Sequence, residues 1–252
     1  MRDGQASGLR RLFRPTAAQT FAIAGQDAAP IAVLLARALA DQGARVLLVD
    51  LALGEVAACA GIATRYDLAQ ALDGDRGAAD VLCEGPDGIT VLPAARAFAR
   101  LASGGDWRTA VGAVASRAGT FDRWIVHGGT PGGVDTLCAL APNAASATRC
   151  YAVLKSLART REVSGSASIV VHRAASADAA RDTHRHVAAT AKRFLGFDVP
   201  LEAHLPEAPW AAATRAAWSD FAATAGGRAF VELAQRRLAS SARAPQPLEV
   251  SA

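Results

Sequence analysis

Six residues constrain this chain more than any others. Arg45-Val46-Leu47-Leu48-Val49-Asp50 is a near-continuous apolar run that ends in a carboxylate. A run apolar at consecutive positions suits a strand buried on both faces, as in a parallel sheet with helices above and below. The same type of run recurs along the chain, alternating with Ala-rich helical stretches. Strands are expected at Thr20–Gly25, Ile89–Leu92, Arg123–His127, Thr136–Leu140, Ser168–His172 and Val199–His204. Helices are expected near Ala29–Gln42, Trp107–Arg117, Ala145–Arg159, Ala177–Leu195 and Ala229–Leu238, with Gly43 as a helix C-cap. Such alternation requires right-handed crossovers, and so predicts an α/β fold: three layers, a mostly parallel sheet with helices on both faces.

Three zones follow. Residues 1–18 read as a polar arm with one apolar stripe, residues 19–238 as the α/β domain, and residues 239–252 as a disordered tail. Hydrophobic residues make up 51% of the chain, enough for a core. No apolar run approaches the roughly 20 residues of a membrane-spanning helix, and the first residues lack a secretory h-region, so a cytoplasmic protein is expected. The tail after Leu238 carries Pro245 and Pro247 and no apolar face, which argues against a membrane-binding helix. The four cysteines form no Cys-x-x-Cys pair, which favours small buried thiols over a metal site. The net charge of +4 comes from scattered arginines without a basic block, so nucleic-acid binding is not expected.

In a parallel sheet ligands lie beyond the carboxyl ends of the strands. Chemistry is therefore sought in Gly25–Pro30, Asp50–Gly54, His127–Gly133, Pro142–Ser146 and His172–Arg173. A phosphate-binding loop after the first strand needs several glycines and a lysine. Here the turn is Gly25-Gln26-Asp27-Ala28-Ala29-Pro30, with no lysine and with a carboxylate where phosphate would lie. The only lysines are Lys155 and Lys192, both in the second half. No Gly-x-Ser-x-Gly or His-Glu-x-x-His occurs, and no catalytic residue is assigned. His184 and His186 point apart on a helix and read as surface positions. The turn His127–Gly133 reads as a flexible connection or as an anion nest. His127 and His172 both end strands on the presumed ligand edge, where they fill polar space or hold a metal or anion.

Several strings in this order resemble the FlhG (FleN) regulators of flagellar number, members of the MinD/ParA deviant P-loop ATPases. Gln5–Leu12 resembles the family's N-terminal Asp-Gln-Ala-x-x-Leu-Arg motif, and Gly43–Gly54 its second-strand segment with a D-x-D pair. Tyr66–Leu72, Gly88–Pro93, Pro142–Lys155, Val170–Arg173 and Arg193–Gly196 resemble further landmarks, so that the likeness runs over most of the chain. The departures fall in the nucleotide site. The resemblance implies that the phosphate-loop lysines are absent around Gly25 and Gln26. It also implies that Asp50 keeps the first carboxylate of the D-x-D pair while Ala52 replaces the second. His127 stands for the Walker B aspartate, and His172, before Arg173, for the purine-recognising asparagine. The family's ATP and Mg²⁺ are then expected to be lost.

The resemblance also implies a partner, an FlhF-type GTPase, together with flagellar assembly proteins, and a cytoplasmic, polar location. The arm residues Gln5, Ala6, Leu9, Arg10, Leu12 and Phe13 are its expected contact. Ala6, Leu9 and Phe13 make one apolar stripe with Leu12 beside it, as in a helix that docks on its own domain or one that folds against a partner; the resemblance favours the partner. Three readings stay open: a non-catalytic regulator, an ATP-driven switch with unusual contacts, and a positioning factor for a pilus, cellulose synthesis or a chemoreceptor array. A homodimer is compatible with each.

Overall fold

The computed structural model describes residues 18–101, 106–131, 133–159, 166–206 and 210–241. The strands among them are β1 (Gln19–Gly25), β2 (Val46–Asp50), β3 (Cys83–Glu84), β4 (Ile89–Pro93), β5 (Arg123–His127), β6 (Asp135–Leu140), β7 (Ala167–His172) and β8 (Leu201–Leu205). They form one eight-stranded sheet in the order β3-β4-β2-β5-β1-β6-β7-β8. Every pairing is parallel except that of the short edge strand β3 with β4. The α/β class and the three-layer arrangement expected from the alternation are what the chain adopts.

The helices are α1 (Ala28–Asp41), α2 (Glu55–Ala60), α3 (Leu68–Leu72), α4 (Ala78–Val81), α5 (Ala95–Leu101), α6 (Trp107–Ala115), α7 (Ala144–Arg159), α8 (Ala177–Leu195), α9 (Trp210–Ala213), α10 (Trp218–Ala222) and α11 (Ala225–Ser241). Strand residues alternate between the two faces. Val46 and Leu48 face one core, with α1, α2 and α9 to α11, while Leu47 and Val49 face the other, with α3 to α6. Farther along the sheet α7 and α8 cover Cys138, Leu140, Ile169 and Val171. All five residues of β2 are buried, the consequence of cover on both sides.

Helix α1 is buried along most of its length, between the sheet and α11, so its residues are apolar all round rather than on one stripe. Pro30 lies in its first turn, where no intrahelical donor is required. The helix's one buried charged residue is Arg37, which is 1% exposed. Its Nε donates to Asp87 Oδ2 at 2.5 Å, and its terminal nitrogens donate to the carbonyls of Ala213, Thr214 and Ala216 at 3.0, 3.1 and 2.7 Å. Arg37 thus fastens the α9–α10 segment to α1, the kind of full pairing a buried guanidinium requires.

Helix α7 starts on Asn143, whose Oδ1 accepts from Ser146 N at 2.8 Å, and Ser146 Oγ accepts from Ala141 N at 2.8 Å. These two bonds fix how the chain leaves β6 and enters α7. Helix α8 is capped by Ser176 and closed by Gly196 in the left-handed region.

The structure corrects some boundaries. β8 begins at Leu201 rather than Val199, directly after Pro200, which has no N–H to give to a ladder. α11 begins at Ala225 and continues to Ser241, past the expected start of the tail. His184 is half-buried, within 2.8 Å of the Val199 carbonyl, rather than a plain surface residue. Residues 1–17, which hold Gln5, Ala6, Leu9, Arg10, Leu12 and Phe13, lie outside the described residues, as do 242–252.

Candidate functional site at the carboxyl edge

The sheet order brings Gly25, Gln26, Asp50, Ala52, His127, His172 and Arg173 to one edge, beyond the carboxyl ends of β1, β2, β5 and β7. It does not bring them to one point. β1 and β6 lie between β5 and β7, so His127 and His172 end strands three spacings apart, roughly 14 Å. A metal shared by the two histidines is excluded by that distance. Among the described residues no group of three or more His, Cys, Asp or Glu side chains is placed to hold a metal ion. The edge divides into two halves.

The first half lies over β1 and β7. Gly25 has φ +112°, and a Cβ there would stand 2.3 Å from the Ala139 carbonyl oxygen of β6. Only Gln26 and Asp27 separate β1 from α1. Asp27 adopts φ 56°, and its carbonyl accepts the first helical bond from Ile31 N at 3.2 Å. Its Oδ2 lies 2.9 Å from a terminal nitrogen of Arg173, itself at φ 58°. Left-handed backbone in a non-glycine residue is held only where its surroundings demand it. Here it occurs on both sides of one ion pair.

His172 is 0% exposed, and its ring nitrogens make no well-formed hydrogen bond; after Asp27, the Gln26 backbone is the polar group that most opposes its burial. Its ring lies tilted against Trp210 at 5.2 Å, and its Nδ1 is 3.7 Å from Asp27 Oδ2. Burial pushes its pKa down to about 4, with the Asp27 carboxylate opposing that shift and the Arg173 guanidinium adding to it.

The second half lies over β2 and β5, where Asp50 and His127 are register partners. Asp50 is 1% exposed; its Oδ1 accepts from Ala52 N at 2.9 Å and its Oδ2 from Val56 N at 3.1 Å. It therefore holds the β2–α2 turn and the first turn of α2, where a negative charge suits the helix dipole. Gly128, at φ +85°, is locked against this turn, since a Cβ there would be 2.5 Å from Ala52 Cβ and 2.7 Å from Ala52 N. Leu53, at the tip, has φ 52° and is 86% exposed.

His127 is buried, with Nε2 3.0 Å from Glu55 Oε2, while its Nδ1 has no hydrogen-bond partner. Beside the pair opens a cavity of about 530 Å³. It is lined by the end of β1, Ala28, Ala52, Glu55, the segment from His127 to Thr130, and Ala152, Val153 and Ser156 of α7. This is the topological switch point, where β1 leads by way of α1 toward β2 and β5 leads past β1 to β6.

Solved structures carry this frame. One is the MinD cell division protein of Aquifex aeolicus, 18% identical, with 92% of this chain and 100% of that chain covered and a TM-score of 0.62. A ParA family ATPase from Chlorobium tepidum is 19% identical over 87% of this chain and 98% of that chain, TM-score 0.61. The chain has the MinD/ParA-type P-loop ATPase fold. Cobyrinic acid a,c-diamide synthase from Mycobacterium smegmatis, with bound ADP and magnesium, shares the fold at 19% identity over 89% of this chain and 96% of that chain, TM-score 0.65. No family model and no curated protein matches the chain. Among the described residues no helix is long and apolar enough to cross a membrane.

Glu55 and Trp210 were not singled out by the sequence reading. A signal for Glu55 existed, an acidic residue directly after Gly54 at the start of a short helix. Trp210 gave none, because its partner His172 lies on a distant strand.

Proposed function

We propose that this chain is a non-catalytic regulator built on the MinD/ParA-type fold, acting in flagellar number or placement through an FlhF-type GTPase. The observation that carries the first part of this reading is the β1–α1 turn. A triphosphate needs a backbone cradle and cationic side chains there. This turn offers two residues, Gln26 and Asp27, and the Asp27 carboxylate stands at the start of α1 with Arg173 as its counter-charge. A phosphate entering would meet that carboxylate, and Asp50 and Glu55 add negative charge along the same edge. The Mg²⁺ and water positions expected of a D-x-D pair have Ala52 in place of the second carboxylate. These residues do not fit Mg·ATP, and no hydrolytic step is derived.

The flagellar part rests on the resemblance of the ordered strings to the FlhG family, Pro142–Lys155 being the most specific and Gln5–Leu12 the one that implies the partner. In this reading the arm contacts the GTPase, with Leu9 and Phe13 buried in the contact and Gln5 and Arg10 supplying polar bonds. The test is the GTPase rate of the cognate FlhF-type protein with and without this chain. Stimulation independent of ATP, and lost on deleting residues 1–14, is expected. Full stimulation by the truncated chain, or stimulation that requires ATP, overturns the reading.

A second reading, an ATP-driven switch with unusual contacts, is favoured by one observation: a cavity of about 530 Å³ persists at the switch point.

A further inference from the structure

We propose that a second cavity, at the amino edge of the sheet, binds the chain's own arm through Leu9, Leu12 and Phe13. This cavity measures about 690 Å³ and lies where β6, β7 and β8 begin, at the opposite edge from the candidate site. Its floor is polar but internally paired. Ser168 Oγ donates to Glu202 Oε2 at 2.6 Å, and Arg237 donates to both of these side chains. Its walls include Leu157, Ala167, Phe197 and Leu201, all only half-buried. What such a cavity gains from an occupant is cover for apolar area. The lining also holds three carboxylates, Asp135, Asp198 and Glu202, against two guanidinium groups, Arg236 and Arg237, which favours an occupant of positive charge.

Position, reach and charge select the arm as that occupant. β1 starts at this edge and pairs with β6, where Phe21 lies opposite the cavity residue Asp135. Arg237, from the cavity floor, lies over the Phe21 ring at 4.9 Å. Ala18 therefore stands roughly 11 Å from Asp135, three residues along β1 and one strand spacing across. Leu12 and Phe13 precede Ala18 by six and five residues, a span of up to about 17–20 Å when extended, so both reach the cavity. Residues 1–17 carry four arginines and one aspartate, the opposite sign to the lining. The tail leaves α11 from the same wall, but it has Pro245 and Pro247 and no apolar stripe. The inference accepts the reading above that the arm contacts a GTPase. Leu9 and Phe13 cannot face the cavity and a partner at once, so the two compete for the arm.

The test is hydrogen exchange of the full chain, read by mass spectrometry, with no GTPase present. Amides of residues 8–14 are expected to exchange at least about tenfold more slowly in the natural chain than in the double variant Leu9→Asp, Phe13→Asp. The same double variant is expected to speed exchange around Phe197–Leu201 and to leave β2 unchanged. Ser166→Trp fills the mouth of the cavity from an exposed position, and is expected to speed exchange of the arm to the same extent. The double variant touches only the arm and Ser166 is exposed, so both proteins are expected to stay folded, which their melting curves check. Arm exchange that is as fast in the natural chain as in the double variant overturns the inference. So does slow arm exchange that Ser166→Trp leaves in place, or slow exchange confined to residues 242–252, which would make the tail the occupant. A GTPase that the chain fails to stimulate contradicts the partner reading instead, so the two failures are distinguishable.

Discussion

The two halves of the carboxyl edge are built in opposite ways. Over β1 and β7 the edge is closed on itself: Asp27 is held by Arg173, and His172 is sealed beneath Trp210. Over β2 and β5 the edge stays open, with a cavity, an exposed Glu55 and an exposed Leu53. The closed half packs Gly25 against the β6 backbone and His172 into the core, and those contacts serve stability. The open half costs little to alter, which is the usual condition of a surface available for binding.

The largest effect that would sharpen this contrast is expected from Gly25→Ala. The added Cβ would stand 2.3 Å from a backbone oxygen that cannot give way, at a φ of +112° that side chains avoid. A loss of about 3–5 kcal/mol is expected in urea unfolding. A loss below about 1 kcal/mol would show that β1 and β6 part easily and that the closed half is not core.

His172 comes next. The unfolded chain takes up its proton near the ordinary histidine value of 6.5, the folded chain only near 4. Acidification between those values therefore favours the unfolded state. Stability associated with this residue is fully present above about pH 6.5 and is lost toward pH 4, by about 3 kcal/mol. His172→Phe should flatten that part of the pH dependence. An unchanged pH slope in the variant would mean that the imidazole is not sealed.

Asp27→Asn is expected to cost less, about 0.5–1 kcal/mol, because Arg173 is half-exposed and water screens the pair. Asparagine tolerates the left-handed backbone, so the variant isolates the charge. Chemical denaturation checks it. A cost near zero would reduce the ion pair to a surface contact. In the open half, Glu55→Gln should change stability by less than about 0.5 kcal/mol. A larger loss would make Glu55 a structural residue like those of the closed half.

The sequence made the strands legible and their partnerships mostly not. β2, β5 and β7 are apolar runs on a parallel-sheet pattern, so their ends, and with them Asp50, His127 and His172, could be placed on one edge. The short strand β3 and the helices α2 to α5, α9 and α10 were missed, because pieces of two to seven residues carry too little period. The position of α9 and α10 depends instead on Arg37, the buried charge of a mostly apolar helix, whose bonds reach residues far along the chain. The pairs that define the site are equally non-local. Asp27 meets Arg173 only because β1, β6 and β7 are neighbours, and Glu55 meets His127 only because β2 pairs with β5. Strand order was not readable from the residues themselves, and so neither was the division of the edge.

The central claim is that the β1–α1 turn no longer accepts a triphosphate. Isothermal calorimetry of the full chain with Mg·ATP tests it most directly. No saturable binding is expected at millimolar nucleotide, a dissociation constant weaker than about 1 mM, or less than about 4 kcal/mol of binding free energy. A micromolar, Mg²⁺-dependent dissociation constant would contradict the account.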